Sequence, residues 1–363
     1  MVAQFVITAI LSFLLVVVTL VILHEFGHYL AARAFGLIPK AFSVGMGPEI
    51  AAGVDRHGTR WKLSAFPIGG YVKFAGEMHP ARGAETSDEP HDFSRLARWK
   101  RAIIIAAGPA MNLVIAAAIF LALAVAFGKT VVEPSISAID RDGVAYASGI
   151  REGDSIVAWD GDESFHMQTL ARSIRMRPDE EMAITVERNG RRSEHVMKIR
   201  REDMTDDFGN SYEVGTLGLS FPQHREEVRS VSDIVDVSLT ETVRLFRLQI
   251  TSVAQIATGK RSLNDLSGPI RMAKMSAEQL SLGWKQLAYF AALISIAIGF
   301  MNLLPIPGLD GGYLAIYAFE SMAGRELEEI ALKRIVVCGY AILALLMAFS
   351  FTNDIRIVFL GGG

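Results

Sequence analysis

Phe5–Leu23, FVITAILSFLLVVVTLVIL, runs without a charge into His24-Glu25-Phe26-Gly27-His28, and Tyr29–Ala32 continues the apolar character beyond it. The run is as long as a bilayer-spanning helix requires, roughly 20 residues. Two histidines four apart on a helix share one face and can grip a metal ion, and a glutamate beside the first can take a proton from water. The spacing is that of a zinc hydrolase, but the solvent is lipid. A hydrolytic site on a membrane helix implies a substrate that is also in the membrane. The competing reading is a pair of hydrogen-bonded histidines beside a buried glutamate. Ionisable groups on an apolar helix are costly and functional by default, which favours the metal.

Three further uncharged runs reach membrane length: Ala102–Phe127, Gln286–Leu309 and Ile335–Asn353. The expected fold is therefore a polytopic α-helical membrane protein with four transmembrane helices. Hydrophobic residues make up 51% of the 363, gathered largely in these blocks. The formal net charge of −3 points to no polyanionic partner, which argues against nucleic-acid binding. The single cysteine, Cys338, rules out an intrachain disulfide. The first run has no basic residues before it and no small-residue cleavage site before His24, so it is expected to be retained rather than removed as a signal peptide.

The loop Ala31–Arg101 carries Arg33, Lys40, Arg56, Arg60, Lys62, Lys73, Arg82, Arg95, Arg98, Lys100 and Arg101, whereas the N-terminal tail has no Lys or Arg. The positive-inside rule places this loop in the cytoplasm and the N-terminus outside. The second helix returns, so Lys129 to about Gln223 lies outside. Alternation such as Ile184-Thr-Val-Glu and the turn pair Asn189-Gly190 predict a small β-rich domain there. Glu202–Glu213 reads as a charged linker. Ser232–Thr258 has Ile234, Leu239, Val243, Phe246, Ile250 and Val253 at helical spacing, but Asp236, Glu241, Arg244 and Arg247 favour a helix lying on the membrane over a fifth crossing.

With that count, two crossings separate the end of helix 1 from the end of helix 3. Asp310 in Asn302-Leu-Leu-Pro-Ile-Pro-Gly-Leu-Asp-Gly-Gly-Tyr313 then returns to the side of His24 and His28. Zinc needs a third protein ligand and an open position, and Asp310 is the candidate. Pro305 and Pro307 break the helix, which at membrane depth is tolerated where it lines a cavity or packs in protein, and Gly311 and Gly312 permit a tight turn. A solvated turn aspartate remains the alternative. Phe66–Gly76, with its paired glycines, suggests a hairpin or bulged strand near the membrane surface, and Asp92–Arg101 suits an interfacial helix.

HEFGH on the first helix together with NLLPIPGLDGG on the third resembles the site-2 protease family of intramembrane zinc metalloproteases, nearest its bacterial RseP/RasP-like branch. The likeness extends along the chain. Ile68-Gly-Gly-Tyr-Val-Lys resembles the family's membrane-associated β-hairpin. Gly108-Pro-Ala-Met-Asn112 resembles a GPxxN stretch of the second helix. Leu266-Ser-Gly-Pro-Ile270 resembles the segment before the third. Ala147–Gly161 resembles the core of a PDZ domain. There are two departures. Tyr313 stands where the family often has histidine, which is not a family zinc ligand, and there is room for one PDZ-like module where some relatives carry two.

The resemblance implies one zinc ion per chain held by His24, His28 and Asp310, with Glu25 as the base that activates water. It implies single-span membrane protein substrates, pre-trimmed outside the membrane, such as an anti-sigma factor, or a remnant signal peptide. A helical substrate must become extended before its peptide bonds can be attacked, and the strand Gly69, Gly70, Tyr71, Val72, Lys73 is a candidate edge for strand addition. Asn302 and Asn112 are candidates for bonding the substrate strand or the oxyanion. The alternative for both is a helix–helix hydrogen bond. The PDZ-like domain reads equally as a peptide binder or size filter and as a rigid spacer. The expected organisation is 1–127, first half of the membrane core; 128–223, PDZ-like domain; 224–283, linker and interfacial helix; and 284–363, second half of the core. The expected location is the bacterial inner membrane, in contact with the lipid bilayer, with both termini and the PDZ-like domain outside and the active site near the cytoplasmic side. The competing function is an inactive membrane scaffold that binds partners through its PDZ-like domain. A transporter is disfavoured because no inverted repeat is visible.

Overall fold

The structure, a computed structural model, describes residues 2–76, 78–79, 83–84, 92–163, 167–205, 211–226, 230–258 and 268–360. Its helices are α1 Val2–Ala34, α2 Arg98–Phe127, α3 Val144–Ala147, α4 Met167–Met176, α5 Val231–Ala257, α6 Pro269–Ser281, α7 Trp284–Leu303, α8 Asp310–Ala323 and α9 Glu329–Leu360. The chain divides into two compact units, Met1–Ala124 with Val231–Arg356, and Val125–Ser230 with Ile357–Gly363.

Among the described residues, four helices are long and apolar enough to cross a membrane, within Gln4–Ala34, Arg98–Phe127, Trp284–Leu303 and Glu329–Ile357. An uninterrupted apolar run has no water for its backbone groups, so it must satisfy them internally as a helix. α1 continues past its apolar run to Ala34 and stops at Gly36, whose φ is 77°. The N–H of Gly36 reaches the Arg33 carbonyl and that of Leu37 the Ala32 carbonyl, a left-handed glycine cap that satisfies the terminal carbonyls. Val16 and Leu20 of α1 pack with Leu287, Phe290 and Ile294 of α7, and Ala116 and Phe120 of α2 pack with Ala292 and Ile296.

β1 (Ala41–Val54) and β2 (Arg60–Lys73) are long bent strands that pair twice. Ala41–Val44 runs parallel to Arg60–Leu63 on one side and meets Gly70–Lys73 in the opposite sense on the other. Beyond the bend at Gly45 and Gly47, both at positive φ, Met46–Val54 folds back along Arg60–Phe66. Gly70–Lys73 is thus the strand segment on the outer side of Ala41–Val44. Phe42, Val72, Phe74 and Phe93 pack with Tyr29, Ile104 and Ile105, fixing this sheet against α1 and α2. β3 (Met78–His79) and β4 (Gly83–Ala84) form a short antiparallel pair.

Several expectations need amendment. Phe93–Arg95 is one 3-10 turn capped by Asp92, and α2 begins at Arg98, so Asp92–Arg101 is a cap and helix start rather than an interfacial helix. α5 and α6 cluster with the first unit. α5 is a helix as expected, but its enclosed face is Ser238, Thr242 and Leu245, while Leu239, Val243 and Ile250 are exposed. The two hydroxyls bond the Ile234 and Ser238 carbonyls, which is how polar side chains can lie inside. Of the stripe read from sequence, Phe246 does meet the bundle, 5.6 Å from the Phe300 ring.

The second unit is an α+β body. β7 (Ser155–Trp159), β8 (Glu181–Arg188) and β9 (Arg191–Lys198) form an antiparallel sheet. It is preceded by β5 (Lys129–Val132) and β6 (Ala138–Ile139). The β8–β9 turn is Asn189-Gly190, both at positive φ, as the sequence predicts. Ile150, Ile156, Leu170, Met182, Ile184, Val186 and Ile199 form its core. The expected linker Glu202–Glu213 is instead mostly an antiparallel pair, β10 (Arg200–Thr205) with β11 (Ser211–Thr216); 206–210 lie outside the described residues. Charge along the pair masked its alternation. β12 (Leu219–Ser220) pairs with β6, and β13 (Gln223–Glu226) with β5.

Candidate metal centre

His24 and His28 lie one turn apart on α1 and are each only 6% exposed. The third element arrives through the broken backbone. α7 ends at Leu303, Leu304 is extended, and α8 starts at Asp310. Proline disfavours helix at the residue before it, which accounts for Leu304 and Ile306 leaving the helix. The glycines after Asp310 serve close approach rather than a turn. A Cβ on Gly311 would stand 2.3 Å from the Leu303 and Leu304 carbonyl oxygens, and one on Gly312 2.4 Å from that of Ile306. α8 can therefore pack directly on the loop and aim its first side chain back at α1.

His24 Nε2 is 3.2 Å from His28 Nε2 and 3.1 Å from Asp310 Oδ2, which is 3.5 Å from His28 Nε2. Ligand atoms held about 2.0–2.1 Å from a tetrahedral zinc stand about 3.3–3.4 Å apart, so this triangle has the size of one face of such a site. Asp310 Oδ2 is buried and receives no hydrogen bond among the described residues. Two imidazole nitrogens and a carboxylate oxygen converging on one point are a donor set that suits a cation. His24, His28 and Asp310 form the one His/Cys/Asp/Glu cluster of metal-binding geometry among the described residues.

Glu25 lies beside the triangle, and its Oε2 accepts the backbone N–H of Val72 at 3.2 Å. A Cβ on Gly70 would fall 3.6 Å from Glu25 Cγ. The structure thus brings the Gly69–Lys73 strand to Glu25. Asn112 is fully buried on α2 and approaches His24 Nδ1 at 3.1 Å, on the ring edge away from Asp310. Asn302 donates to the Ile298 carbonyl of its own helix at 3.1 Å.

Two contributors carried no role in the sequence reading. The Ile104 carbonyl accepts from His28 Nδ1 at 2.9 Å, which leaves Nε2 its lone pair. Gly108 leaves room for both rings: a Cβ there would lie 2.2 Å from His28 Nε2 and 2.9 Å from His24 Cε1. The GPxxN stretch was the visible signal for Gly108. Nothing in the sequence marks a carbonyl such as that of Ile104.

The sequence model described as peptidase family M50 matches residues 12–346. A provisionally named zinc metalloprotease of Agrobacterium fabrum is 36% identical over 358 residues, covering 95% of this chain and 95% of its own. One from Rhizobium meliloti is 35% identical with 96% of each chain covered, and one from Mesorhizobium japonicum is 33% identical with 94% and 97% covered. Among solved structures, the PDZ domain of an SdrC-like protein from Listeria monocytogenes aligns with 29% of this chain and 92% of its own at 17% identity. Its TM-score of 0.20 is too low to carry an argument about fold.

Proposed function

Because the chain belongs to peptidase family M50, the site-2 proteases, we propose that it hydrolyses peptide bonds within membrane-spanning segments of single-span membrane proteins. It is a zinc metalloprotease and a membrane protein. His24, His28 and Asp310 hold the metal, and their triangle is the observation that carries this reading. Zinc, when bound, supplies a Lewis acid that makes water nucleophilic near neutral pH and polarises the scissile carbonyl.

Glu25 is the general base. It neighbours His24 in sequence, and its carboxylate is held by Val72 N–H, leaving its other oxygen available to receive a proton from water. The Gly69–Lys73 segment receives the unwound substrate as an added strand. This assignment is supported by its position on the outer side of Ala41–Val44 and its bond to Glu25. Strand pairing would keep the scissile bond extended within reach of Glu25.

The distribution of Lys and Arg in residues 31–101 supports a cytoplasmic position for the site in a bacterial inner membrane, with the unit Val125–Ser230 outside. That unit acts as a PDZ-like size filter or peptide binder, and chemistry and recognition are separate steps on opposite faces. Substrates of this description include anti-sigma factors trimmed outside the membrane and remnant signal peptides. Membrane proteomics of cells carrying wild type or Glu25→Gln tests the reading. Single-span fragments should accumulate in the variant; identical fragment profiles would contradict it.

A further inference from the structure

The Gly108-Pro-Ala-Met-Asn112 stretch of α2 faces the two histidines, and its last residue presents a conflict that the metal reading resolves. Asn112 is completely buried. Its Nδ2 is placed 3.1 Å from His24 Nδ1, and its Oδ1 is buried with no partner among the described residues. An amide N–H pointing at Nδ1 requires that nitrogen to be the acceptor. The ring proton of neutral His24 would then sit on Nε2, the atom that faces His28 Nε2 and Asp310 Oδ2. A protonated Nε2 has no lone pair for a metal.

The two ends of a carboxamide have nearly the same shape, and which is oxygen is decided by the hydrogen bonds each must make. As placed, the oxygen end finds no partner among the described residues, so the choice falls to His24. Turning the amide by half a rotation puts Oδ1 against Nδ1–H and returns the lone pair to Nε2. The neighbouring ligand already follows this rule, since His28 gives its Nδ1 proton to the Ile104 carbonyl. Resting on His24 as a ligand, we propose that Asn112 is a positioning residue: its side-chain oxygen accepts the Nδ1 proton of His24 and fixes the tautomer that binds zinc. α2 then supplies an acceptor behind each histidine, a backbone oxygen for His28 and a side-chain oxygen for His24.

The place of Asn112 is itself held. Ser295 of α7 donates its hydroxyl to the Asn112 carbonyl at 2.8 Å, and a Cβ on Gly299 would stand 3.1 Å from Asn112 Cβ. α7 thus sets the position of the group that orients His24. In this arrangement Asn112 sits behind the ring and does not reach the open side of the triangle, so its work is on the ligand rather than the oxyanion.

The test is zinc affinity, measured by chelator competition on the full-length protein in detergent, with thermal unfolding as a check on folding. Asn112→Leu keeps the branching and the number of heavy atoms but removes the acceptor, and should weaken zinc binding by about 10- to 100-fold. Asn112→Asp, assayed at a pH where the carboxyl is ionised, keeps an acceptor without a donor, and should bind zinc within about threefold of wild type if the acceptor is what matters. Asn112→Asp weakened as far as Asn112→Leu would overturn the inference, and this comparison stands even if the leucine variant folds poorly. Wild-type affinity in Asn112→Leu, alongside loss of zinc in His24→Ala, would overturn the inference and spare the ligand assignment. Zinc retained by His24→Ala would overturn both.

Discussion

Val72 donates its backbone N–H to Glu25 Oε2 across 3.2 Å, tying the outer segment of β2 to the glutamate of the HExxH helix. Phe42 pairs with Val72 on the other side of that segment. The N–H is therefore directed away from β1 and toward the site. A strand that both holds the base and offers an edge to substrate couples docking to chemistry.

Val72→Pro removes this N–H while leaving the metal ligands untouched. Turnover should fall on the order of 10- to 100-fold, as expected when a catalytic group loses its alignment. Zinc content should be unchanged. Normal cleavage kinetics would show that Glu25 needs no such tether.

Gly108→Ala places a methyl group 2.2 Å from the metal-facing nitrogen of His28. Overpacking of this kind costs about 1–3 kcal/mol, and here the strain falls on a ligand. Zinc content should drop together with thermal stability in detergent. Full metal loading would mean that α1 and α2 can separate cheaply.

Arg271 and Asp354 are both fully buried, with Arg271 Nε 2.7 Å from Asp354 Oδ1. Asp354 also accepts the N–H groups of Gly268, Ile270 and Arg271, capping α6 from α9. Asp354→Ala leaves a buried guanidinium without its carboxylate and should cost about 3–5 kcal/mol. A thermal shift in detergent measures it; an unshifted midpoint would contradict the pairing.

Asp154 of the second unit is buried, which raises its pKa, but bonds from Arg188 and the Arg151 N–H outweigh burial and hold the carboxyl below its ordinary value. A depressed folded pKa gives stability that is present above the unfolded pKa, about 3.9, and lost as pH falls through the folded one. Hydrogen exchange of β7–β9 in the full chain should accelerate below about pH 4. Asp154→Asn should remove that acid dependence and cost about 1.5–3 kcal/mol at neutral pH.

The four membrane-length helices were legible because lipid leaves a chain few choices: uncharged runs of that length become helices. The spacing of His24 and His28 and the count of crossings to Asp310 led to an expected cluster, and the structure brings these three residues together. What was hidden depends on contacts between distant segments. The Ile104 carbonyl is a backbone atom that any residue type would supply. Asp354 follows the uncharged run Ile335–Asn353 and reads as its end, yet the helix continues to Leu360 and the charge turns inward to Arg271. Glu202–Glu213 reads as a linker because its charges overwrite the two-residue period of the strands. The enclosed Ser238 and Thr242 of α5 look like a polar face until their hydroxyls are seen bonded to their own helix.

The central claim is that His24, His28 and Asp310 hold zinc while Glu25 activates water against a membrane-embedded peptide bond. The most direct measurement is cleavage of a single-span substrate by purified protein in detergent, with products mapped by mass and zinc quantified in the same samples. Wild type should carry one zinc and cut within the apolar segment, and Glu25→Gln should keep the zinc and cut nothing. Wild-type cleavage by Glu25→Gln would contradict the account.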